Sequence, residues 1–262
     1  MSKRLRRTIA AAVISPVILI IVMAAWLIWG GVSNPAGRKT IGEITPPRGY
    51  ERVTVAPESF GAFIKDFPLQ GRGAHMRYYN GKLAYGQSFG YAVLDLPMLS
   101  NMEQCADAVM RMRAEYLWDK GRYDSIHFHS VSGVDQRYSG GSDRKAFENY
   151  LRRVFDNSNT SSLRRELKEK PFQDISPGDV LVYESPGPDH YGHAVLVADV
   201  AVNRKTGKKA LMLAQSSTPA LSMHIIRDIL HPIRSPWVII EDTDQDLFIS
   251  GIRFQSSDLR TW

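Results

Sequence analysis

The segment "MEQCADAVMRMRAEYLW", Met102 to Trp118, holds the only cysteine of this 262-residue chain. A thiol near a helix N-terminus feels the positive end of the helix dipole, which favours the attacking thiolate form. Cys105 is also in register with Ala108, Val109, Met112 and Tyr116, an apolar face where a free cysteine acts as a small hydrophobe. Spacing alone leaves both roles open. His193 opens the run "HAVLVADVAV", just after the loop "SPGPDHY". An imidazole at the mouth of a central strand can act as base to a thiol at a facing helix end. Its plain alternative is a satisfied strand-end histidine. Gln215 ends the next apolar run, "ALMLAQSS", one strand over from His193. Its side-chain carbonyl could accept the second imidazole N–H and fix the tautomer, or it is an ordinary strand-end amide. Asp199 shares the face of His193, but six residues of strand span about 20 Å, too far to orient the ring.

The other histidines suggest different chemistry. His127 and His129 in "IHFHS" point to one face of a strand, a spacing that can bind a metal, and His190 or His193 could join them. A metal-activated water would then be the nucleophile. Against this, no carboxylate clusters with the pair in the sequence, and H-x-H arises often by chance. His127 could instead line a substrate cleft. His224 and His231 read as scattered surface residues, and Tyr85 and Gln87 are candidate oxyanion donors without an assigned place. No cofactor and no metal are expected.

Elements that would position these groups can be read from periodicity and punctuation. "ERVTVA" and "GYAVLDL" read as strands, and "PESFGAFIKDF" as a short helix with Pro57 in its first turn. "SNMEQCADAVMRMRAEYLWDKG" is the clearest helix, with Ser100 and Glu103 as a capping box and Gly121 at its end. "SIHFHSV" alternates as a strand, and "DRKAFENYLRRVFDN" and "TSSLRRELKEK" are further helices. The last third holds apolar, β-branched runs separated by turn signals: "GDVLVYE", "HAVLVADVAV" and "KALMLAQS", an antiparallel meander that "SMHII" and "WVIIE" could extend. Helices first and strands later argue for an α+β fold.

The N-terminus sets the compartment. Four of the first seven residues are Lys or Arg, and Ile9 to Val32 carries no charge. At about 1.5 Å rise per residue this run can cross a hydrocarbon core of roughly 30 Å. Trp26 and Trp29 stand where signal cleavage would fall, which suits a retained anchor with its basic end in the cytoplasm. The expected organisation is a basic tail (1–8), a transmembrane signal anchor (9–32), a linker (33–48) and one globular domain (49–262). Residues 1–48 carry seven Lys or Arg and one acid, which accounts for the whole net charge of +6. The remainder is neutral, so a nucleic-acid partner is set aside.

Two resemblances bear on function. The segments "EQCADAVMRMRAEYL" and "PGDVLVYESPGPDHYGHAVLV" resemble papain-like thiol amidases of the NlpC and CHAP kind. That resemblance implies a papain-like (NlpC/CHAP-like) α+β domain with N-terminal helices packed on an antiparallel sheet, preceded here by one transmembrane helix. It implies Cys105 as nucleophile, His193 as base and Gln215 as the orienting third group. A Cys inside its helix and a Gln as third group both depart from that pattern. The motifs "QCADAVMRMRAEYL", "YDSIHF", "GHAVLVADVAVNRKTGKK" and "LAQSSTPALSMHI" also resemble an uncharacterised bacterial family of exported or membrane-anchored proteins. Together these imply a single-pass protein of the bacterial inner membrane with its domain in the periplasm or outside. Its activity would be thiol hydrolysis of a cell-envelope amide or ester, with peptidoglycan peptide the natural substrate guess. The alternatives are a non-catalytic envelope binding module and a His-based metal hydrolase.

Overall fold

The computed structural model describes residues 18, 19, 21, 31–185, 187, 192–242 and 246–262. The apolar run read as a membrane anchor lies almost wholly outside these residues, as do the loop positions 186 and 188–191, including His190. Among the described residues no helix is long and apolar enough to cross a membrane.

In chain order the first strands are β1 (Tyr50–Arg52), β2 (Gly90–Val93), β3 (His127–His129), β4 (Asp135–Arg137), β5 (Lys168–Glu169) and β6 (Val180–Tyr183). The rest are β7 (His193–Asn203), β8 (Lys209–Gln215), β9 (His224–Ile226), β10 (Val238–Ile240), β11 (Leu247–Ile249), β12 (Ile252–Phe254) and β13 (Leu259–Thr261). Four α-helices are described: α1 (Phe60–Asp66), α2 (Cys105–Asp119), α3 (Arg144–Asn157) and α4 (Thr160–Glu166). The fold is α+β, with a mostly antiparallel sheet.

The long apolar runs form its spine. β7 and β8 pair antiparallel, and the main sheet runs β2-β9-β8-β7-β6-β13-β5, with β1 on the far end of β7 and β10 on the start of β8. Alternation along β7 sends Ala194, Leu196 and Ala198 to one side, into a core shared with the helices. Val195 and Val197 go to the other, against Phe254 and Leu259. Both faces are covered, which is why these strands read as unbroken apolar runs. Small residues on the helix side let α2 lie close to β7. The Pro-Gly-Asp turn before β6 has Gly178 at φ +97°, and Asp179 accepts the Ser176 N–H at 2.8 Å.

Two expectations change. The stretch 33–48 is packed onto the domain rather than a free linker: Ile41 and Ile44 are buried in the helix-side core. The Asn34 side chain donates to the carbonyls of Arg38 and Gln70, and Trp237 donates to that of Thr45. The cysteine helix starts five residues after Ser100. Residues 246–262 cover the sheet, as the β11–β12 hairpin and the inserted strand β13.

Candidate functional site

The cap of α2 is Gln104, so Cys105 is its first helical residue. Asp107 accepts the Gln104 N–H at 3.1 Å in a capping-box pairing, and Gln104 Oε1 accepts the Thr218 hydroxyl at 2.9 Å. Glu103, expected to close a box with Ser100, is instead buried against Arg111 at 2.7 Å. Burial pushes the Glu103 carboxyl up, and the Arg111 guanidinium holds it down. With that ion pair fixing the preceding turn, the chain enters the helix only at Gln104. The thiol thus has the helix-opening place that the spacing from Ser100 denied it.

The polar neighbours of the sulfur include the Ala194 and Ala106 amides and the Thr160 hydroxyl. All favour a thiolate. Burial acts more strongly and pushes the thiol up, so the resting group is the protonated thiol. Thr160 reaches the sulfur because residue 192 is glycine. A Cβ there would stand 2.9 Å from the Tyr183 carbonyl and 3.0 Å from Thr160 Cβ.

The imidazole sits one residue from that contact. His193 Nε2 lies 2.8 Å from Gln215 Oε1, and its ring packs on Phe254 with centroids 6.2 Å apart. Burial lowers the His193 pKa, so the ring is neutral. A third residue, which sequence reading took for a surface histidine, completes the row. His224 faces Gln215 across the β8–β9 ladder and is 2 % exposed. Burial lowers its pKa to about 4.

The hydrogen-bond directions in this row are determined. Neutral His224 donates from Nδ1 to the Ser222 carbonyl at 3.0 Å, leaving Nε2 as an acceptor. The Gln215 amide nitrogen therefore turns toward His224 and Ser250, at 3.5 and 2.6 Å. Gln215 Oε1 is left to accept His193 Nε2–H. The free lone pair of His193 is then on Nδ1, the nitrogen nearer its own main chain, which is the form a base requires.

The structure thus joins His193 to Gln215 directly and sets the Cys105 sulfur against Ala194, next in sequence to His193. The two side chains leave β7 differently. The imidazole lies with Tyr183 and Phe254 on one face, and α2 covers the other.

A groove of about 440 Å³ opens onto the sulfur, lined by Gln104, Asp107, Asn159, Thr160 and Thr218 beside Cys105. Asp107 was not singled out in the sequence. It is 5 % exposed, and its Oδ1 has no hydrogen-bond partner among the described residues. Burial, with the neighbouring Cys105 and Glu103, holds its carboxyl well above the usual range. A neutral carboxyl at the groove can donate a hydrogen bond to a ligand; the signal was an acid two residues from the thiol at a helix start.

Other candidates fall elsewhere. Gln87 is buried, bonded to the main chain of Met76 and Ala84, and serves its loop. Asp199 pairs with Arg52 at 2.5 Å, away from the imidazole. His231 is exposed beside Asp228. His127 and His129 share one face of β3 as expected, but carboxylates do cluster with them: Glu166 from α4 and Asp135 from β4. His193 is not part of that group.

Fold and site define an α+β protein with a buried, helix-opening thiol and, on the other face of β7, a neutral, amide-oriented imidazole. The chain belongs to the family described as Domain of unknown function (4846), whose profile matches residues 41–141 and 137–261. No curated protein and no solved structure matches the chain.

Proposed function

We propose that the protein is a membrane-anchored thiol hydrolase of papain-like type, acting outside the cytoplasm on an amide or ester of the cell envelope. One observation carries the reading: a lone thiol at the first residue of a helix opens onto a groove near the start of β7, where an imidazole has its Nε2 held by Gln215. In this reading His193 Nδ1 takes the proton as Cys105 Sγ adds to the substrate carbonyl, which requires the imidazole to turn past the strand end from the Phe254 face toward α2. The amides that open α2 stabilise the oxyanion. The same proton then passes to the departing amine or alcohol, leaving a thioester. Water adds to it, with His193 as base, and releases acid and free thiol. Both groups start neutral, so proton transfer accompanies attack rather than preceding it. Peptidoglycan stem peptides are the substrate we favour for an extracytoplasmic amidase, and the apolar run Ile9–Val32 is the anchor we assign.

The burial of the thiol, 5 % exposed, favours a second reading, a binding module that keeps the shell without catalysis. Labelling with an electrophilic acyl or epoxide probe separates them. The hydrolase reading expects saturable labelling of Cys105 that slows about 100-fold in His193→Ala. Slow labelling at the same rate in both proteins overturns it.

A further inference from the structure

We propose that His127, His129 and Glu166 form a binding site for a divalent transition-metal ion of the zinc class, which pins the β3–β4 hairpin to the end of α4. The ligand atoms of the two histidines and Glu166 lie within 4.8 Å of one another. His129 Nδ1 is 2.5 Å from Glu166 Oε2, and His127 Nδ1 is 3.8 Å from Glu166 Oε1 and 3.2 Å from Asp135 Oδ1. His127 Nδ1 is buried with no hydrogen-bond partner, although it points among carboxylate oxygens. That nitrogen faces carboxylate oxygens without a well-formed hydrogen bond, an arrangement that a cation between them would complete.

Bond lengths of about 2.0–2.2 Å to nitrogen and oxygen put tetrahedral ligands roughly 3.3–3.6 Å apart. The observed separations bracket that range, so an ion at the centre asks for side-chain rotations rather than backbone movement. The two imidazoles stand at 84° with centroids 6.1 Å apart, not stacked, which leaves both Nδ1 atoms able to face one point. The backbone is already fixed around it. His129 N–H donates to Glu166 Oε2 at 2.9 Å, and β3 pairs with β4 so that His129 lies opposite Asp135. Arg137 holds the other Asp135 oxygen at 2.7 Å, leaving Oδ1 toward His127. Two imidazoles with a carboxylate suit zinc over magnesium or calcium, which favour all-oxygen sites. Three protein ligands leave the fourth tetrahedral position to water, with Asp135 standing 3.2 Å from His127 Nδ1.

The position gives the ion a purpose. α4 begins at Thr160, one of the donors on the Cys105 sulfur, and ends at Glu166. An ion clamping Glu166 to the hairpin fixes the helix whose other end orders the thiol, about 9 Å away.

The test uses the full chain in detergent, stripped with chelator and titrated with zinc chloride, with magnesium and calcium chloride as controls. One equivalent of zinc retained through gel filtration, with a raised Tm and no effect of the controls, is expected. Glu166→Gln and His129→Gln, each checked for a native circular-dichroism spectrum, should weaken zinc binding at least 100-fold. Failure to retain one equivalent overturns the proposal, as does retention unchanged in both variants. Zinc lost in Cys105→Ala but kept in Glu166→Gln also overturns it, by assigning the ion to the thiol. Zinc retention is read apart from probe labelling, so the site stands or falls independently of the hydrolase reading.

Discussion

Gln215 is held from three sides, by His193, His224 and Ser250. Its replacement tests whether orientation matters to the thiol. Gln215→Leu should slow probe labelling of Cys105 by about tenfold, less than loss of the base itself. It should also cost about 1–3 kcal/mol of stability, because it strands two buried imidazole nitrogens. A labelling rate equal to wild type would detach Gln215 from the chemistry. The two buried histidines add a pH signature. Each is neutral when folded, with its pKa lowered by burial, to about 4 at His224 from 6.5. Below 6.5 the unfolded chain takes up protons that the native state refuses, so stability falls as pH drops from about 6.5 toward 4. Denaturant midpoints measured across that window should show the slope, and His224→Gln should flatten it.

At the scale of elements, the start of α2 and the closure of α4 over Gly192 determine where the sulfur sits. Gln104→Ala should destabilise the protein by about 1 kcal/mol, the ordinary worth of a helix cap, by thermal melt. Gly192→Val should push Thr160 off the sulfur, raising the thiol pKa further, and a pH titration of thiol alkylation reads this directly. The meander β6–β7–β8 was legible because its runs are β-branched, apolar and punctuated by turn residues. The pairing of His193 with Gln215 was legible too, from two neighbouring strand ends, but the helix cap was not. Ser100 and Glu103 fit a capping box by spacing, and only the buried Arg111 explains why Glu103 is elsewhere. His224 was misread because a three-residue strand is too short to show alternation. Glu166 lies 37 residues from His129, so no local pattern could pair them.

At the scale of the whole molecule, the segment ahead of β1 is part of the domain. Ile41→Ala removes a fully buried side chain from the core beside α1 and should cost about 2–4 kcal/mol, measured by urea unfolding. A surface-like cost below 0.5 kcal/mol would return residues 33–48 to the role of a tether. The sheet also sets an order of assembly. β13, residues 259–261, lies between β6 and β5, strands made some eighty residues earlier. A nascent chain grown through β10 therefore holds β6 with one bare edge, an invitation to mispairing that persists until the final strand slots in. Chains cut before residue 256 should therefore aggregate rather than fold.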